Sequence, residues 1–175
     1  DENDCPYHGN PCRNFLFQQR DTYKFLHDQT VRLINKGYTM LELAAYFDNP
    51  DNLPDFMKNQ WHNRGYYGTI SHNVRAIYQK YLGWYDMHPA NLNPLPPEDV
   101  AKLYVNAMGG EANVIKIINL AIEENNLRWA AELGKHLIFA NPSSVNRVKV
   151  ANIFTFLGYM CEAGTWRDMY LTGAA

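Results

Sequence analysis

Cysteine is scarce: Cys5, Cys12 and Cys161 are the three in 175 residues. An odd, small count in a domain of this size excludes a disulfide framework as the organising device. Apolar runs are short as well. None approaches the ~18 consecutive residues of a transmembrane helix, so no membrane span is expected. Basic charge is not in excess, since 16 Lys and Arg face 18 Asp and Glu for a net charge of −2. Electrostatic binding of nucleic acid needs a clear cationic surplus, so no nucleic-acid partner is expected. The phosphate-cradling Gly-Lys-Ser/Thr loop, the dinucleotide fingerprint and the His-Glu-x-x-His zinc motif are all missing. The acidic start Asp1-Glu2-Asn3-Asp4 has neither the basic nor the apolar region of a signal peptide. There is no initiator Met, and the chain is expected to be part of a longer protein. The compartment is left unknown; the domain reads as soluble, and periplasmic or secreted if its parent carries a signal peptide.

What is present is enough for a core. Hydrophobic residues make up 46% of the chain and charged residues only 19%. A chain of this length buries roughly 70% of its unfolded surface. Aromatics are abundant, with 12 Tyr, 8 Phe and 4 Trp. Tyr and Trp join a large apolar body to a polar tip, which suits interfaces that are partly wet.

The periodicity is helical throughout. Leu16, Gln19, Tyr23, Leu26, Thr30 and Leu33 alternate at spacings of three and four, one seam of a helix over about 13–36 closed by Gly37. Phe15, Phe17, Phe25 and Val31 lie off that seam, so this helix is expected to pack on two sides, one of them against a second subunit. Thr39-Met40-Leu41-Glu42 is a capping box opening a helix over 40–47. A turn-rich stretch from Asp48 to Pro54 precedes a third helix over about 55–63. Ser71 is read as the cap of a helix over 72–82. The stretch from Gly83 to Pro97 is too aromatic for a flexible linker and is expected to pack against something. After Gly109-Gly110 the pattern becomes paired helices. Their stripes are Val114, Ile117, Ile118, Ala121 and Ile122; then Trp129, Leu133, Leu137 and Ala140; then Val150, Ile153, Phe154, Leu157 and Cys161. A last short helix holds Trp166 to Leu171. Trp129 and Trp166 are expected to be buried packing residues. The turn at Glu123–Arg128 resembles that at Glu162–Arg167, 39 positions on. That repeat suggests tetratricopeptide-like stacking of helical hairpins.

Three groups of residues carry chemistry. Asp4, Cys5, His8 and Cys12 are zinc-compatible types, but the two Cys are too far apart for a knuckle and no second pair follows. Solvated thiols near a terminus are the preferred reading. His27-Asp28 has no Ser or Cys at a spacing that makes a nucleophile, so it reads as an interhelical hydrogen bond fixing register. The segment Asn63-Arg64-Gly65-Tyr66-Tyr67-Gly68-Thr69-Ile70-Ser71-His72-Asn73 is the densest. It combines a cation, phenols, hydroxyls, an imidazole and amides around two glycines, and a helix start offers free amides to an anion. A sulfate or phosphate ester suits such a loop, and so does a structured corner whose aromatics fill a core. The residues leave both open.

Several stretches in order resemble one family, the linear alkylsulfatases of the metallo-β-lactamase superfamily. They are Phe17-Gln18-Gln19-Arg20-Asp21-Thr22-Tyr23-Lys24-Phe25-Leu26-His27-Asp28-Gln29-Thr30, Asn63 to Thr69 with Ser71-His72-Asn73, and Tyr81-Leu82-Gly83-Trp84-Tyr85-Asp86 with Pro89-Ala90. The resemblance resumes at Arg128-Trp129-Ala130, Phe139-Ala140-Asn141-Pro142 and Trp166 to Ala174. It covers residues 14–174 and implies the all-α dimerisation domain of such an enzyme, with residues 1–13 the tail of an upstream metallo-β-lactamase-like domain. It implies a homodimer, a downstream sterol-carrier-like domain, and a parent that hydrolyses linear alkyl sulfates to alcohol and sulfate with two zinc ions. No cofactor is expected in this chain, and no catalytic residue. Asn3 and Asp4 stand where the family has a metal-binding His, so no metal ligand is carried over. Substrate-binding donors are expected from Tyr67, His72, Asn73 and Tyr78. The competing class is a non-catalytic helical interaction scaffold, which an upstream His-x-His-x-Asp-His motif in the parent would exclude.

Overall fold

The computed structural model describes residues 10–175, and those residues form helices and connecting turns with no strand among them. The chain divides into two compact units, Asp1–Leu92 and Asn93–Ala175.

The first unit is built on α1 (Asn10–Ile34), α2 (Met40–Asp48), the short α3 (Asp55–Lys58) and α4 (Ile70–Leu82), with single 3-10 turns at Pro50–Asn52, Trp61–Asn63 and Pro89–Asn91. Gly37 ends α1 at φ +89°, a conformation that costs a residue with a Cβ. The capping box forms as read: Thr39 N–H donates to Glu42 Oε2 at 2.8 Å, and Glu42 N–H reaches Thr39 Oγ1. The Thr39 N–H and then the Thr39 hydroxyl, both donating to the Glu42 carboxylate, hold it below its usual range. Leu26, Leu33, Leu43, Ala44, Phe47, Met57, Val74 and Tyr78 make the core.

Three expectations change here. The α1 seam is buried only in its second half. Leu26, Thr30 and Leu33 are enclosed, Leu26 and Leu33 in the core with Phe47 of α2 and Val74 of α4, but Leu16 is 58% and Tyr23 71% exposed. Helix 55–63 breaks into a four-residue helix and a 3-10 turn. The cap of α4 is Thr69, not Ser71: Thr69 Oγ1 accepts from His72 N–H at 3.1 Å, while Ser71 is buried one residue inside. The aromatic connector is held by local bonds, and Tyr85 within it is half-buried. Asp86 accepts from His88 N–H and Asn91 Nδ2, while Trp84, Met87, Leu92 and Leu95 remain exposed. His27 does what its position suggested: its imidazole meets Tyr81 Oη of α4 at 2.7 Å and Asp28 at 3.0 Å.

The second unit contains α5 (Pro97–Ala107), α6 (Glu111–Glu123), α7 (Leu127–Ala140), α8 (Ser144–Met160) and α9 (Gly164–Ala174). Helix α7 is central, packing against α5, α6 and α8, and α9 packs on α8. The three stripes meet in one core of Val114, Ile118, Ala121, Leu127, Ala130, Leu133, Leu137, Ile153 and Leu157. Asn146, fully buried, ties the unit's turns together. Its Nδ2 donates to Glu111 Oε1 at 3.1 Å and to Asn141 O at 3.0 Å. Trp129 corrects a further expectation. It is 47% exposed, because Leu127 and Ala130 rather than Trp129 face the core at the start of α7. Trp166 is half-buried on α9, which runs from Gly164 to Ala174 and is longer than read.

Candidate functional site

The dense segment from Asn63 to Asn73 folds as a tight turn anchored at both ends. Asn63 is its inner anchor. Its buried amide donates to Phe56 O at 2.8 Å and accepts from Gln19 Nε2 of α1 at 2.7 Å. Gln19 also reaches His62 O at 3.0 Å. At the outer end, the Thr69 cap starts α4. Between them, Tyr66 N–H bonds back to Arg64 O at 2.9 Å, and the Arg64 guanidinium lies over the Tyr66 ring at 5.6 Å. A side chain at Gly68 would displace the Asn73 amide. A Cβ there would stand 2.8 Å from Asn73 Oδ1, and Asn73 Nδ2 closes the turn on Gly68 O at 3.4 Å.

Three of the four donors named from the sequence come together on this turn. Tyr67 is the most open, at 80% exposure. His72 is exposed on the first turn of α4, its Nδ1 3.5 Å from Thr69 Oγ1. Partial burial and then the nearby Arg75 cation hold its imidazole below the ordinary histidine range, which leaves it neutral near pH 7. Asn73 is half-buried and committed to Gly68. Tyr78 stands apart. It lies about 9 Å further along the helix at the usual rise per residue, one turn beyond Val74, and is only 1% exposed within the core. The sequence could not separate it from the others, since residue type and nearness in the chain do not say which helix face is covered.

A groove borders this turn and was missed from the sequence. Cys12, Phe15, Leu16 and Gln19 of α1 line one side, and Trp61, His62 and Tyr66 the other, enclosing about 490 Å³. Within it the Phe15 and His62 rings lie 4.8 Å apart, and His62 Nε2 meets Gln18 Oε1 at 2.7 Å. Its two sides, Phe15-Leu16 and Trp61-His62, lie more than 40 residues apart in the sequence.

Asp4, Cys5 and His8 lie outside the described residues. Among the described residues no three His, Cys, Asp or Glu side chains gather as a metal would require. No helix among the described residues is long and apolar enough to cross a membrane.

An all-helical chain carrying this turn has close relatives. Its backbone matches the solved structure of the stereoselective inverting sec-alkylsulfatase Pisa1 from Pseudomonas sp. with a TM-score of 0.89 and 45% identity, over 94% of this chain and 26% of that one. The family model for alkyl sulfatase dimerisation matches residues 39–175, and the chain belongs to that family. It is 48% identical over 91% of its length to an alkyl/aryl-sulfatase of Saccharomyces cerevisiae, covering 24% of that protein. It is 46% identical over 95% of its length to an (R)-specific secondary-alkylsulfatase of Pseudomonas sp., covering 25%. A linear primary-alkylsulfatase of Pseudomonas sp. is 44% identical over 93% of this chain, with 24% of that protein covered. The chain thus spans about a quarter of the length of these curated relatives.

Proposed function

We propose that this chain is the dimerisation domain of an enzyme that hydrolyses alkyl sulfate esters to alcohol and sulfate. The observation that carries the reading is the family match over residues 39–175, together with 44–48% identity to three alkylsulfatases. Metal-assisted activation of water belongs, by resemblance, to an upstream metallo-β-lactamase-like domain with two zinc ions. A downstream sterol-carrier-like domain completes the parent.

This domain contributes dimerisation and part of the wall of the active-site cleft. Its turn at Arg64–Asn73 faces the cleft and offers neutral donors to the sulfate oxygens. Tyr67 donates its phenol O–H, and His72, kept neutral by its depressed pKa, donates a ring N–H. Asn73 acts by holding the turn on Gly68. Tyr78 is buried and serves the core, so it drops out of the donor set. A sulfate ester is weakly basic and is stabilised by several donors rather than by one strong base.

Two measurements test this. Sedimentation of the chain at tens of micromolar, a concentration suited to an obligate interface, should give a dimer; a clean monomer counts against the dimerisation role. In the complete parent, His72→Phe and Tyr67→Phe should each lower sulfate release by roughly tenfold or more with little change in stability. Unchanged turnover removes the turn from the cleft.

A further inference from the structure

Helix α8 is apolar on both sides. Val150, Ile153 and Leu157 are buried on one of them. On the other, Val145, Val148, Asn152, Phe156 and Tyr159 follow spacings of three and four along a single face. The four apolar residues of that face, with Met160 at its edge, are 57–70% exposed. A solvated helix face ordinarily carries charge. Those of α6 and α7 do, with Lys116, Arg128, Glu132 and Lys135 turned to the surface. Helix α8 has no acidic residue in its 17 positions, and its two cations are bonded elsewhere. Arg147 Nε donates to Pro142 O at 3.0 Å, and Lys149 Nζ to Asn119 Oδ1 of α6 at 2.9 Å. At their exposure the five apolar side chains offer on the order of 600–700 Å² per copy, most of the ~800 Å² that each partner gives to a standard interface.

The face is also symmetric about its middle. Asn152 stands seven positions from both Val145 and Tyr159, and four from both Val148 and Phe156. Two copies laid antiparallel, with Asn152 on the two-fold axis, set every valine against an aromatic ring: Val145 against Tyr159 of the second copy, and Val148 against its Phe156. Small meets large along the whole seam, as close packing requires. A parallel pairing sets valine on valine and ring on ring. At the axis each Asn152 amide is donor and acceptor at once, so two copies satisfy one another. A single polar residue in an apolar helical seam fixes the register. Such a contact, the same patch on both partners, is what a two-fold dimer needs.

We infer that α8 is a seam at which two copies of this chain pair, antiparallel, with Asn152 facing Asn152. That the occupant is a second copy rests on the dimerisation reading; the face and its register rest on α8 itself.

The test is charge complementation at exposed positions, read by sedimentation of the 175-residue chain, with circular dichroism verifying that the helices persist. Asn152→Asp and Asn152→Lys should each weaken self-association roughly a hundredfold or more, since like charges then meet on the axis. Mixed in equal amounts, the two should form a one-to-one heterodimer. A second pair tests the direction of the helices: Val148→Asp and Phe156→Lys, each weak alone, should also associate when mixed, because only the antiparallel register brings position 148 against position 156. Variants at position 152 that dimerise like the unaltered chain overturn the seam and leave the dimerisation reading intact. So do variants that stay monomeric on mixing, and variants that lower the stability of the complete parent while its dimer persists, which gives the face to another part of the same chain. A monomeric unaltered chain at tens of micromolar overturns the dimerisation reading and the seam together.

Discussion

Replacing Gly134 with alanine sets two known effects against each other at the crossing of α7 and α8. Gly134 is buried in the middle of α7, and α8 presents Val150 to it. In an exposed helix interior, Gly→Ala stabilises by about 0.5–1 kcal/mol, through lower entropy of the unfolded chain. Here the added Cβ would stand 2.9 Å from one Val150 methyl and 3.4 Å from the other. Valine is stiff at χ1 in a helix, and rotation would bring one methyl into the place of the other. Relief therefore needs the two helices to separate, and overpacking of this kind costs about 1–3 kcal/mol. The clash wins, and Gly134→Ala should destabilise by about 1–2 kcal/mol, or roughly 4–8 °C in Tm per kcal/mol for a unit of this size. The decisive experiment is the cycle with Val150→Ala. That change alone costs about 2 kcal/mol through lost burial and a small cavity. In its presence the methyl added at position 134 has room, so the same Gly134→Ala should become stabilising by up to about 1 kcal/mol. Urea unfolding followed by circular dichroism on the four proteins gives the coupling directly. Additive effects within ~0.5 kcal/mol, or a stabilised single Gly134→Ala, would refute the close crossing.

Three more outcomes follow from the structure. Asn63→Ala should cost about 1–3 kcal/mol, since it strands the Phe56 carbonyl and leaves the Gln19 amide with His62 O alone in a partly buried place; a loss under ~0.5 kcal/mol in urea unfolding would mean water already serves those groups. Thr69→Ala should cost about 1 kcal/mol as a lost cap, read by thermal unfolding, and amide exchange at His72 and Asn73 should quicken; unchanged exchange would return the cap to Ser71. His136 is held below the ordinary histidine range by burial and by Lys135, with Glu132 opposing. The unfolded chain therefore binds the proton more readily than the folded one. The contribution of His136 to stability is complete above the unfolded pKa near 6.5 and is lost as pH falls through the lower folded pKa. An NMR titration of His136 placing its pKa above 6.5 would reverse that sign.

The positions of the helices and most of their ends were written in the sequence. A helical period of about 3.6, a capping box at Thr39–Glu42 and breakers such as Asn141-Pro142 act over a few residues, so a linear reading captures them. The stripes of α6, α7 and α8 pointed to the second unit's core for the same reason, and the residues of the Asn63–Asn73 turn stood out by type alone. Tertiary structure decided what those stripes meet. Leu16 and Tyr23 continue the seam of Leu26 and Leu33, yet only the latter pair is covered, in the core with Phe47 of α2 and Val74 of α4. Trp129 is half-exposed and Tyr78 enclosed, the reverse of what residue type suggested, since burial depends on the neighbouring helix rather than on the side chain. The bond from Gln19 to Asn63 and the groove between Phe15 and Trp61 join positions more than 40 residues apart. No local rule specifies such a pairing; it exists only once α1 and the 61–66 turn have been brought together by the burial of the core between them.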